Sequence, residues 1–385
     1  MRWHTSSAFL ALSLSAAAPA VQAAYTLQTA YQGDRFFDGW DFWNNRDNLT
    51  NGAVNYVSKA ASSEVAYTNS AGNVVIKVDN STRLASGVNA LRDSVRITTN
   101  DAFDVGSLFV MDALHVPYGC SVWPAFWAHA RSWPSGGELD IFEGVNLQQT
   151  NQVAMHTVAG CYAANSTVNV TATGDMTFSN CDYTVAANHG CTFQDARNAS
   201  YGADFAAAGG GIYAAEFSSD AISVWFFPRA EIPADLRSVN GTPDPSSWGI
   251  PMAYYPSSAC NINQYFAPQQ ITINIALCGD WAGQPGVFSP ICGTGNCADY
   301  ILDPSHFDTA YFEIASVRIY EGGVNTRVSG GAQAASGVIG AIGGSASGTS
   351  SADGGRWRAS GRALGAVGLA AAVSVLSGVG LVVGL

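Results

Sequence analysis

The chain has 385 residues, 48% of them apolar and 12% charged, about half the ~25% charged share of an ordinary soluble domain. That apolar content excludes a disordered chain. With only two lysines, Lys59 and Lys77, and a net charge of −12, it lacks the clustered cations that a polyphosphate surface needs, so a neutral partner and no nucleic acid are expected.

Residues 1–23 carry Arg2, an apolar run from Ala8 to Ala18, and small residues through Val21, Gln22 and Ala23. This is the three-part pattern of a cleaved secretory signal. A single large domain is expected over 24–328. Within it, short apolar or alternating runs recur at 74–78, 94–98, 108–114, 221–227, 271–277 and 312–320, separated by Gly, Pro, Asn, Asp and Ser. No long helical period and no internal repeat interrupts them. Many short strands over about 300 residues predict an all-β fold: an antiparallel β-sandwich of jelly-roll, concanavalin-like type.

The chemistry concentrates at Gly137, Glu138, Leu139, Asp140, Ile141, Phe142 and Glu143. In a regular strand Glu138 and Asp140 share a face and Glu143 points away, because its offset from Asp140 is odd. One extra residue, taken up as a β-bulge, would return Glu143 to that face. Three carboxylates so arranged repel, and one of them then holds a proton at neutral pH beside an ionised partner. Such a pair is the machinery of glycoside hydrolysis; a solvent-facing acidic strand and a calcium site are the alternatives. Just upstream stand Trp123, Trp127 and Trp133, among ten tryptophans in all. Indole faces stack on sugar rings, which favours a carbohydrate cleft.

Eight cysteines, Cys120, Cys161, Cys181, Cys191, Cys260, Cys278, Cys292 and Cys297, and six N-x-S/T sequons, at Asn48, Asn80, Asn165, Asn169, Asn198 and Asn240, agree with export. A disulfide framework is expected, its pairing unreadable from sequence. No C-x-x-C pair suggests zinc, and no nucleophile elbow, H-E-x-x-H or phosphate loop is present. Residues 329–355 form a Gly/Ser/Ala-rich linker with small residues at 350–354, and 356–385 combine Arg356, Arg358 and Arg362 with an apolar tail from Ala363. That order is a GPI-attachment signal, with a retained transmembrane helix as the alternative. The protein is therefore expected to be secreted and held at the cell surface or cell wall, contacting a membrane only through this anchor. A monomer is the default.

The run Trp123, Pro124, Ala125, Phe126, Trp127, followed by Gly137 through Asn146, resembles the E-x-D-x-x-E signature of glycoside hydrolase family 16. It is most similar to the fungal laminarinase-like endo-1,3(4)-β-glucanases. Segments 151–157, 224–229 and 278–283 extend the resemblance over roughly 25–325. The resemblance implies a retaining double displacement, with Glu138 as nucleophile, Glu143 as acid and then base, and Asp140 tuning the pair. It also implies that Trp123, Trp127 and Trp281 line a β-glucan cleft with His156 near the carboxylates, and that Arg96 contacts sugar hydroxyls. His156 as a core histidine is the plain alternative. No organic cofactor is implied; a structural calcium ion is left open without a ligand set. A wall transglycosylase and a silent glucan-binding module are the rival functions.

Overall fold

The computed structural model describes residues 25–322, apart from 88, 89, 165 and 166. The expected signal, linker and tail, and the sequon at Asn165, lie outside them. All described residues fall within one compact unit, Met1–Ser329. Among them no helix is long and apolar enough to cross a membrane.

Two eight-stranded sheets carry the fold, every pair within them antiparallel. The back sheet runs Ala253–Pro256, Ala221–Pro228, Gly211–Phe217, Ser107–His115, Tyr311–Glu321, Val74–Lys77 and Ala66–Thr68, with Thr26–Tyr31 also on Tyr311–Glu321. The front sheet runs Asp175–Phe178, Cys191–Gln194, Gln152–His156, Glu138–Glu143, Val122–Ala130, Gln269–Leu277, Arg96–Thr99 and Trp40–Phe42. A third, three-stranded sheet contains the parallel pair Val54–Tyr56 and Arg92–Ser94. The jelly-roll sandwich expected from the pattern of short strands is the architecture observed.

Alternation explains which face each strand buries. Ile271, Ile273, Ile275 and Leu277 enter the core between the sheets, while Gln270, Thr272, Asn274 and Ala276 take the opposite face. The back sheet is covered on both sides. Phe109 and Met111 face the main core, and Leu108 and Val110 join a second cluster with Trp225, Phe227, Leu236 and Trp248. Its strands accordingly read as unbroken apolar runs rather than alternating ones. Disulfides join Cys120–Cys292, Cys161–Cys260, Cys181–Cys191 and Cys278–Cys297.

Candidate active site

The outer face of the front sheet forms the floor of a cleft of about 630 Å³. Its centre is the acidic strand Glu138–Glu143, which lies between Val122–Ala130 and Gln152–His156. Gly137 admits the chain to this strand with φ +73°, and a Cβ there would stand 2.5 Å from the Phe266 ring. Both the backbone and the space therefore require glycine.

The bulge anticipated from the odd offset is present. Asp140 is opposite Trp127 and Ala154, whereas Glu143 is opposite Ala125 and Gln152. Three residues of the acidic strand thus span two on each neighbour. Leu139, Ile141 and Phe142 go to the core, and Glu138, Asp140 and Glu143 all line the cleft. Asp140 is only 3% exposed, which removes the reading of a solvated acidic strand.

Each outer glutamate has its own tryptophan. The Trp123 indole N–H donates to Glu143 Oε1 at 2.8 Å, and Trp133 stands beside Glu138, where its indole N–H favours the charged carboxylate. Trp281 packs edge-on against Trp123 at 5.5 Å, and Tyr183 against Trp133 at 5.4 Å. Aromatic pairs therefore stand beside both ends of the carboxylate row, where successive sugar rings of one chain can stack. Trp127 is largely buried in the floor, its N–H donating to Asn274 Oδ1 at 2.7 Å.

Residues 40–320 match the XgeA-like catalytic domain of glycoside hydrolase family 16. The chain belongs to this family. An endo-1,3(4)-β-glucanase of Arthroderma benhamiae is 38% identical over 81% of the chain and 68% of its own length. Family 16 laminarinase 16A from Phanerochaete chrysosporium, solved with the β-glucan 6-O-glucosyl-laminaritriose in donor and acceptor sites, is 39% identical. It superposes with a TM-score of 0.73 over 78% of this chain and all of its own. An elongating family 16 β-1,3-glucosyltransferase is 35% identical, with a TM-score of 0.70 over 77% of this chain and 99% of its own.

Electrostatics distinguish this family 16 site from a simple acidic patch. Burial, and then the charge of Asp140, push both Glu138 and Glu143 well above the usual carboxylate range. Each therefore holds its proton to higher pH than an isolated carboxyl does. His156, facing Glu138 across the strands, is the counter-charge. Its Nε2 lies 3.2 Å from Asp140 Oδ2 and its Nδ1 lies 2.9 Å from Asn188 Oδ1. Both ring nitrogens face oxygen atoms, an arrangement that suits an imidazolium. Burial opposes that charge, but the hydrogen bond to Asp140 and the fields of Glu138, Asp140 and Glu143 outweigh it and lift the imidazole to about 10. His156 is thus a charged member of the cleft rather than a passive core histidine.

Glu138, Asp140 and His156 also bring ligand atoms within 4.8 Å of one another. The imidazole nitrogen in this set does not suit calcium, which takes oxygen ligands.

Arg96 and Trp281 line the cleft. Arg96 is engaged there, its Nη1 on Asn48 Oδ1 at 3.1 Å and its guanidinium 5.3 Å above the Trp43 ring. Sequence reasoning missed Asn188, Gln152, Asn274 and His129 in the lining, and left Trp133 without a role. Asn274 had a signal, a polar position alternating with isoleucines. Asn188 had none: it arrives on the loop between Cys181 and Cys191, where Ala186, Ala187 and Asn188 take φ of 52°, 56° and 61°. Gly190 lets that loop approach, since a Cβ there would stand 2.6 Å from the His156 ring.

Proposed function

We propose that this family 16 glycoside hydrolase is an endo-acting β-glucanase that cleaves β-1,3 and mixed β-1,3/1,4 linkages with retention. It acts as a monomer, exported and held at the cell surface or wall by a GPI anchor. The observation that carries the chemistry is the bulge, because it gives Glu138 and Glu143 to one face on either side of Asp140.

In the first half-reaction the Glu138 carboxylate attacks the anomeric carbon, the glycosidic C–O bond breaks, and Glu143 gives its proton to the departing oxygen. In the second, Glu143 takes a proton from water, which attacks the same carbon and frees Glu138. The neighbours support this assignment. His156 favours the charged form of both glutamates, and Glu138 also feels the guanidinium of Arg96, which fits it to be the ionised member. Asp140 repels charge on both and binds the imidazolium. The substrate class is supported by the tryptophan pairs and by the names of the relatives, a glucanase and a laminarinase.

A second reading, transfer to a sugar hydroxyl instead of water, is favoured by the likeness to the elongating glucosyltransferase. Chromatography of products from laminarin and lichenan, with a Glu138→Gln control, separates the readings. Short oligosaccharides from the wild type alone support hydrolysis. Chains longer than the donor support transfer, and unchanged glucan argues for binding without turnover.

A further inference from the structure

A bulge returns Glu143 to the cleft face but breaks the regular ladder, and backbone groups left unmatched in a buried strand are destabilising. One side chain answers both ends of the break. The Asn151 Nδ2 donates to the Ile141 carbonyl at 3.0 Å, and its Oδ1 accepts from the backbone N–H of Glu143 at 3.0 Å. Asn151 is fully buried and does not line the cleft. Its own backbone is anchored: its N–H donates to Ser200 Oγ at 2.9 Å, and its carbonyl accepts from the Asp195 N–H at 2.9 Å.

We propose that Asn151 is the positioning residue that sets the bulge and so aims Glu143 at the glycosidic oxygen; the inference rests on the reading of Glu143 as the acid and base. A primary amide is required, because one group must donate to a carbonyl and accept from an N–H across Phe142. Aspartate keeps the shape and the acceptor but turns a carboxylate oxygen toward the Ile141 carbonyl. Alanine removes both bonds.

The test compares two substrates in the full chain and in Asn151→Asp, Asn151→Ala and Glu143→Gln. Laminarin has a poor leaving group that needs a proton, whereas the dinitrophenolate of 2,4-dinitrophenyl β-laminaribioside departs without one. The ratio of the two kcat/KM values does not depend on how much enzyme is folded, and Asn151→Asp keeps the volume if the alanine variant is unstable. Glu143→Gln is expected to lose about 10²- to 10⁴-fold on laminarin and little on the aryl glycoside. Both Asn151 variants are expected to show the same split at about 10- to 100-fold. Added azide, a nucleophile that needs no base, should speed their turnover of the aryl glycoside. Equal losses on both substrates, or wild-type rates on laminarin, would overturn the role of Asn151. Absence of the split in Glu143→Gln itself would instead overturn the assignment of Glu143, and the inference with it.

Discussion

Trp123 and Trp133 each favour the charged form of a different glutamate, and this gives them separable signatures. An indole N–H stabilises the ionised carboxylate, so losing it raises the pKa of its partner. The proposed double displacement needs Glu138 ionised and Glu143 protonated. Trp133→Phe should therefore move the acid limb of the kcat/KM profile upward, and Trp123→Phe the alkaline limb, each by about one pH unit, since hydrogen bonds to charged groups are worth roughly 1.5–3 kcal/mol. His156→Gln removes a cation that both glutamates feel, so both limbs should move up together; limbs that stay in place would refute the imidazolium. Stability carries the same information. The folded His156 titrates near 10 against 6.5 for a free imidazole, so its contribution is full below pH 6.5 and is lost as pH rises through 10. Thermal melts between pH 7 and 10 should fall more steeply for the wild type than for His156→Gln. At this scale the sequence was partly legible: Glu138, Asp140 and Glu143 were readable as a spacing, and the bulge followed from an odd number. Asn151 and Asn188 were not, because their bonds join residues that only the folded register brings together.

The disulfides differ in what they hold. Cys161–Cys260 closes a separation of 99 residues and Cys181–Cys191 one of 10. By loop entropy, replacing the first pair with serine should cost about 4–5 kcal/mol and the second about 3 kcal/mol or less. Activity should follow the opposite order, since the short loop carries Asn188 to His156. Denaturant melts together with kcat on laminarin check both halves, and parallel losses would remove the loop from the site. The apolar runs read from sequence all became strands, with one correction. Run 94–98 is cut at Val95, where the chain leaves the parallel pair at Arg92–Ser94 and joins the front sheet at Arg96–Thr99. Val95 is buried, so the apolar pattern runs through the break unmarked. The strand Val122–Ala130 was hidden for the opposite reason. Pro124 and the tryptophans read as breaker and ligand cluster, yet Pro124 lies where pairing with the acidic strand has ended at Ala125.

At the scale of the molecule, two cores share one sheet. The buried Arg318 in that sheet donates to the carbonyls of Leu236 and Ser238 and ties down the segment that covers its outer side. The sandwich itself was legible because its alternation and turn spacing are local. The second core was not, since a sheet buried on both faces loses the period that reveals which side is wet. The acidic chain should have no electrostatic grip on a neutral glucan, so KM for laminarin should change less than about twofold between 0.02 and 0.5 M salt, where exposed charges become screened. A strong salt dependence would point to a charged polysaccharide instead. Double displacement by Glu138 and Glu143 fixes the configuration of the product, which proton NMR reads in the anomers released in the first minutes of laminarin hydrolysis. The β-anomer should appear first and then mutarotate; initial release of the α-anomer would contradict the account.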